Sequence, residues 1–326
     1  MQTRVSVSAT DLGLTSTIDV TFFIYLGDYY NMQELFMRNS HLISKIDWEV
    51  LVDRLQKETM PSGKEQLKEA LARAVEDRVP LGECGLLFSG GVDSSLIALL
   101  LKANHADLRS YTVGVDGSED VVVSAMVAKD LNLRHTLRVL TDDDLHQVLI
   151  KVKKIFKDSL LQTHPNLSVL LGVAAVEYAA LESASHNKAK IFFGGLGAEE
   201  IFAGYHRHAK ALDVNKECWN GLRNILWERD LQRDVLLANH FGVAFVTPFL
   251  DEDVIKAAMG LGGEQKIRGL DKKVILREIA QEFGLEYDIA WRKKKAAQYG
   301  SAFNKAIERL SKRHGFRRTR DYFAYL

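Results

Sequence analysis

The chain is 326 residues long and 47% hydrophobic, with 43 Lys plus Arg against 43 Asp plus Glu. That length and apolar content suit one large α/β domain with at most a modest appendage and exclude a disordered chain. Balanced charge excludes a whole-molecule field for nucleic acid or membrane. Two cysteines, Cys84 and Cys218, exclude a disulfide framework and show no metal spacing, so a reducing, cytoplasmic compartment is expected. No apolar run approaches the length of a membrane span. Residues 22–26 are too short, and too poor in a basic leader, for a signal peptide.

Residues 1 to about 60 differ from the rest and read as an N-terminal extension. Val5 and Val7 alternate with polar residues and 17–26 is rich in β-formers, so one or two strands are expected there. A translation start at Met32 or Met37 is an alternative reading of this stretch. Residues 63–79 predict a helix with Leu67, Leu71 and Val75 on one face, stopped by Pro80-Leu-Gly82. A short buried strand over Leu86, Leu87 and Phe88 follows, then a turn, then a helix from Leu96 to Lys102 with Ser94 and Ser95 as N-cap candidates. Further strands are expected at 108–115, 134–140 and 189–193. Between them the pattern predicts helices from Ser118 to about 131, over 145–156, and a long buried one over 167–185. Residues 215–290 read as mostly helical. Strands separated by helices predict a parallel, doubly wound α/β sheet with a mostly helical C-terminal part and ligands at the carboxyl ends of the strands.

Two glycine clusters sit at such ends. The first is Ser89-Gly-Gly-Val-Asp-Ser-Ser95. Gly90 and Gly91 can take φ > 0 and let an anion approach the backbone, where amide groups and the helix dipole favour phosphate. A carboxylate beside a phosphate nest repels it unless a cation intervenes, so Asp93 reads as a Mg²⁺ ligand or its partner. The loop lacks the Lys-Ser/Thr ending of a Walker A motif and the residue order of a nucleophile elbow. The second cluster is Gly194-Gly-Leu-Gly-Ala-Glu-Glu-Ile-Phe-Ala-Gly-Tyr205. Glu199 and Glu200 open a helix there. They serve either as dipole-favourable caps or, facing Asp93 across the sheet, as holders of Mg²⁺–pyrophosphate.

The first loop resembles the pyrophosphate loop of N-type ATP pyrophosphatases, and the second resembles the asparagine synthetase signature Ser-Gly-Glu-Gly-Ala/Ser-Asp-Glu-Leu-Phe-Gly-Gly-Tyr. Val246-Thr-Pro-Phe-Leu-Asp251, Lys272-Lys-Val-Ile-Leu-Arg-Glu278 and Trp291-Arg-Lys-Lys-Lys-Ala-Ala-Gln-Tyr-Gly-Ser301 extend the likeness over about residues 64–305. The Gln-Tyr-Gly-Ser ending is most similar to the asparagine-synthetase-domain-containing protein 1 group. The resemblance implies an adenine nucleotide alpha hydrolase-like (HUP-type) fold over 61–326. It also implies that Mg²⁺–ATP adenylates a carboxylate with release of pyrophosphate, and that ammonia or another amine then takes the acyl group. It assigns ATP and pyrophosphate to Phe88, Ser89, Gly90, Gly91, Val92, Asp93, Ser94, Ser95, Val113, Gly114, Gly194 and Gly195. Asp93 and Glu199 become metal ligands, and Lys273 neutralises developing charge while Glu199 joins the catalytic set.

Three positions depart from the family. Leu196 stands where the family has a glutamate resembling a general base, Glu199 replaces an aspartate, and Val246 replaces an arginine. The first departure predicts slow or absent asparagine formation from aspartate and ammonia. Pro248 to Asp251 is expected to mark a helix start. Gln2 follows Met1 where the family's glutaminase has its cysteine, so no glutaminase is expected here, and the scheme admits a homodimer or a separate ammonia source. Two other readings are a catalytically degenerate nucleotide binder and an RNA-modifying ATP pyrophosphatase using the basic, aromatic tail 309–326. Docking of that tail by its aromatics is the simpler expectation, so the expected partners are a small carboxylate and an amine.

Overall fold

After a short antiparallel ribbon, Met37–Arg38 (β1) with His41–Leu42 (β2), come five strands: Cys84–Leu87 (β3), Leu108–Gly114 (β4), Arg134–Val139 (β5), Ile191–Phe193 (β6) and Ala244–Val246 (β7). The computed structural model describes residues 34–38, 41–156, 167–293 and 295–326. The five strands pair in parallel in the order β5-β4-β3-β6-β7. Register is set by Cys84 opposite both Leu108 and Ile191. The chain moves outward from β3 through β4 to β5, then returns to lay β6 and β7 on the other side. The order reverses between β3 and β6, and both glycine clusters leave the sheet at that switch point.

Helices cover both faces, which is why β3, β6 and β7 are short, mostly apolar runs. Cys84 and Leu86 are fully buried, as is Phe193. A Cβ at Gly85 would collide with the Phe192 ring, so this glycine lets β3 and β6 pack closely. Edge strand β5 instead alternates, with Leu137 and Val139 partly exposed.

The helices in order are Lys45–Glu58 (α1), Lys64–Glu76 (α2), Val92–Ala103 (α3), Glu119–Asp130 (α4), Asp142–Ile155 (α5), Leu167–Ala184 (α6) and the single turn Ala198–Ile201 (α7). Gln232–Phe241 (α8), Glu252–Met259 (α9), Val274–Glu282 (α10), Phe303–Arg313 (α11) and Thr319–Tyr325 (α12) follow, with the helix Val214–Asn220 before α8 and short helical turns between the others. A second ribbon, Ile267–Arg268 (β8) with Asp271–Lys272 (β9), ends directly before Lys273. Among the described residues α6 is the helix long and apolar enough to cross a membrane, an exception to the composition reading. Its Leu170, Leu171, Tyr178 and Leu181 lie in the core with Leu145 and Val148 of α5 and Phe303 and Leu310 of α11.

The N-terminal readings at Val5, Val7 and 17–26 lie outside the described residues. Glu34–Leu326 form one compact unit, so the sequence boundary near 60 falls inside it. Trp48, Val52 and Leu55 on α1 are fully buried, and Trp48 donates to the Leu222 carbonyl at 2.9 Å. At the other end Tyr322 and Phe323 are buried. The basic residues around them are held by Arg309–Asp142, Arg313–Asp143 and Arg318–Asp321 ion pairs. The tail is thus docked by its aromatics, with three of its arginines already matched by carboxylates.

Candidate active site

The first glycine loop turns directly out of β3. Gly90 has φ +64°, and a Cβ there would press within 3.2 Å of Ser124 Cα, so both conformation and space select glycine. Gly91 is different: it is extended (φ −84°, ψ 163°) and is itself the N-cap of α3. The helix therefore starts at Val92 rather than Leu96, and Ser94 and Ser95 lie inside its first turn instead of capping it. The reason is the Ser94 hydroxyl, which donates back to the Gly91 carbonyl at 3.2 Å and lies 3.3 Å from Ser89 Oγ. Those two serines brace the loop. Val92 and Ser95 face the interior.

Asp93 stands on that first turn, and Gly195 of the second loop packs on it: a Cβ at Gly195 would sit 3.1 Å from Asp93 Cβ. Gly197, at φ +93°, turns the second loop into α7 and projects Glu199 toward the same point. Lys273 closes the group. Its Nζ donates to Asp93 Oδ1 and Oδ2 at 3.0 and 2.8 Å and to Glu199 Oε1 at 2.6 Å. Lys273 is 5% exposed and takes a left-handed backbone, φ 56°, between β9 and α10. Burial pulls its pKa down, but Asp93 and Glu199 together override this and hold it above the ordinary lysine value. A non-glycine left-handed residue with a buried, doubly paired ammonium is a strained arrangement of the kind found at functional sites.

This geometry bears on Mg²⁺. Among the described residues no cluster of three or more His, Cys, Asp or Glu is arranged to hold a metal. Two carboxylates do converge on one cationic atom, and Mg²⁺ near phosphates commonly takes only one or two carboxylates, with phosphate oxygens and water completing six ligands. Asp93 and Glu199 fit that demand. Glu200 does not: it points inward, is 1% exposed and faces Arg229 at 3.3 Å. Burial first, and then Asp230, push its carboxyl up to about 7.

Beside this cluster a cavity of ≈ 190 Å³ runs along the carboxyl ends of the strands. Phe88, Ser89, Val113, Gly194 and Gly195 line it, as does Leu196. Gly114 lies just behind, where a Cβ would meet Ser118 Oγ at 2.5 Å. Phe88 directs its ring away onto His135, edge to face at 5.8 Å.

The asparagine synthase family profile matches residues 63–232 and 210–315. The chain belongs to the asparagine synthase family. A protein of Methanocaldococcus jannaschii named as a putative glutamine-hydrolysing asparagine synthetase is 32% identical over 82% of this chain and 54% of its own length. The asparagine synthetase domain-containing protein YML096W of Saccharomyces cerevisiae is 35% identical over 34% of this chain and 21% of its own length. Among solved structures, an NMN synthetase of Francisella tularensis aligns over 78% of this chain and 94% of its own, with 14% identity and a TM-score of 0.31. The chain spans about half the length of the Methanocaldococcus relative and of an asparagine synthetase B of Escherichia coli.

Within this family the departures acquire places. Val246 is fully buried at the end of β7 and its carbonyl accepts from Gly194 N at 3.0 Å, so it shapes the second loop through its backbone. Pro248–Leu250 is a helical turn, and Asp251 caps α9 through Asp253 N at 2.9 Å, the helix start expected for that segment. The structure also brings in residues the motif reading passed over. Arg292 reaches the loop, donating to the Ser89 carbonyl at 3.4 Å and pairing with Glu119 at 2.6 Å. Gly204 leaves the space that the Glu199–Lys273 pair fills: a Cβ there would strike Glu199 Oε2 and lie 2.5 Å from Lys273 Cε. Its only signal in sequence is one more glycine in a glycine-rich stretch. Gly204→Ala is accordingly expected to cost about 1–3 kcal/mol by overpacking and to remove most turnover by displacing Glu199. Thermal unfolding with parallel ATP turnover checks this, and full activity in that variant would show the space to be dispensable.

Proposed function

We propose that the protein is an ATP-dependent synthetase that joins a carboxylate to an amine by way of an acyl adenylate. The observation that carries the reading is the meeting of Asp93, Glu199 and Lys273 at the switch point, beside a glycine loop that opens a twelve-residue helix. In this scheme the loop backbone and the positive end of α3 receive the pyrophosphate part of ATP. Asp93 and Glu199 hold Mg²⁺, which when bound supplies charge neutralisation to the phosphates. Lys273, released from part of its ion pairing, donates to the phosphate oxygens that gain charge as the substrate carboxylate attacks the α-phosphorus. Gly194 and Gly195 form the floor against which the new acyl group lies, and Leu196 adds an apolar wall that excludes water from it. Aspartate, ammonia and the family's usual product are not assumed, because Leu196 carries no proton acceptor.

The test is product analysis. Incubated with Mg²⁺–ATP and a pool of amino acids and dicarboxylates, the protein is expected to release AMP and pyrophosphate in equal amounts. ADP and phosphate as the products would remove it from this reaction class.

A further inference from the structure

The cavity beside the loop has a charged end that the adenylation scheme does not use. Besides Leu196 it is lined by Glu177 of α6 and by Arg233 and Asp234 of α8, with Leu87, Val176, Ala180 and Phe245 as apolar wall. A glutamate in the middle of an Ala- and Leu-rich helix is unusual, since buried charge is costly unless paired. Here the pairing is specific. Arg233 Nε donates to Glu177 Oε2 at 3.0 Å, Nη1 donates to Asp230 Oδ1 at 2.8 Å, and Nη2 faces Asp234 Oδ1 at 2.6 Å. Every nitrogen of the guanidinium is therefore committed to a carboxyl group, and Arg233 presents no open fork to a substrate carboxylate. The second guanidinium nearby, Arg229, is taken by Asp230, Glu200 and Tyr205. Acid groups outnumber guanidiniums, and two of the acids, Glu177 and Asp234, are on the cavity wall.

From this we propose that Glu177 and Asp234 bind the amine nucleophile as its ammonium ion and take a proton from it. The inference rests on the adenylating reading of the neighbouring loop. Leu196 stands where the family has its proton acceptor, and the lining of the same cavity supplies two other carboxyl groups. Glu177 and Asp234 meet at one guanidinium, Arg233 donating to Glu177 Oε2 at 3.0 Å and facing Asp234 Oδ1 at 2.6 Å. Burial first raises both carboxyls above their ordinary range, against the pull of Arg233, while Asp230 adds to the rise. An ammonium ion beside these carboxyls favours their ionised form on binding, which leaves a carboxylate to accept its proton on reaction. The nitrogen gives one proton to the pair and becomes a neutral amine. Its lone pair then forms the C–N bond at the acyl carbon as the C–O bond to phosphate breaks, AMP leaves with that electron pair, and the second nitrogen-bound proton departs on the AMP phosphate. Carboxyl acceptors select an ammonium group that carries N–H donors over a quaternary one, which has none to offer.

Methylammonium chloride is the probe, with tetramethylammonium chloride as the control of equal charge and no N–H donor. The full chain is saturated with Mg²⁺ and α,β-methylene-ATP, and thermal unfolding is followed as each salt is titrated. Wild type is expected to gain Tm saturably with methylammonium and not with tetramethylammonium. Glu177→Gln and Asp234→Asn, measured separately in case one folds poorly, are each expected to lose that gain. Equal responses to the two cations, no response in wild type, or a retained response in both variants would overturn the assignment. ATP–pyrophosphate exchange driven by pooled amino acids is measured on the same wild-type protein. A methylammonium response without exchange would sink adenylation and leave the amine site standing. Exchange without the response would do the reverse.

Discussion

Lys273→Ala is expected to lower kcat by roughly 10²–10³, the loss that follows removal of one preorganised donor aimed at developing charge. The structure sharpens that expectation in two ways. Lys273 is almost fully buried and its Nζ bonds both Asp93 and Glu199, so its loss removes the ammonium held between them. Lys272 lies in the preceding ribbon, where burial lowers its pKa. Alanine would also leave Asp93 and Glu199 facing each other without the ammonium between them. Two carboxylates so placed favour a divalent cation more strongly than before, so Mg²⁺ affinity should hold or rise while turnover falls. Steady-state kinetics across Mg²⁺ concentrations separates the two effects. A variant with weak ATP binding and normal turnover would assign Lys273 a ground-state role and end its part in the transition state.

Asp93→Asn is the second large effect expected. The amide keeps the size of the carboxylate and its place on the first turn of α3, but it lacks the charge that Mg²⁺ requires. Most Mg²⁺-dependent turnover should vanish. The fold should persist, because Asp93 sits at the loop edge of the sheet and Lys273 still keeps Glu199 at 2.6 Å. Loss of a negative charge at the helix N-terminus adds only about 0.3–1 kcal/mol to the destabilisation. Circular dichroism fixes the folding question and a Mg²⁺ titration of ATP turnover fixes the functional one. Turnover and Mg²⁺ dependence that match wild type would reduce Asp93 to a turn residue.

Much of this was legible in the chain because it is local. Apolar runs of three to seven residues between amphipathic stretches specify parallel strands joined by helices, whatever lies elsewhere. Glycines placed directly after two such runs specify loops at the carboxyl edge, and the dozen positions around Glu199 specify the family. Those readings depend on covalent neighbours, and local backbone preference decides them. The first turn of α3 departs from its sequence pattern for an equally local reason: serine is a good N-cap, yet Ser94 satisfies the Gly91 carbonyl from within the helix and leaves Gly91 to do the capping.

What only the tertiary structure decided is which distant groups share a space. Lys273 meets Asp93 across 180 residues and Glu199 across 74, and nothing local to any of the three requires it. Strand order alone places β3 beside β6 and so brings the two glycine loops together. Gly204 matters because another side chain needs its missing Cβ, a relation with no trace in its own neighbours. Glu177, out of place in a helix facing the core, is matched by Arg233 from a helix 56 residues further along the chain. The sequence by itself determined the elements and their chemistry; the packing determined their partners, because contact across the fold is set by which surfaces bury each other and not by spacing along the chain.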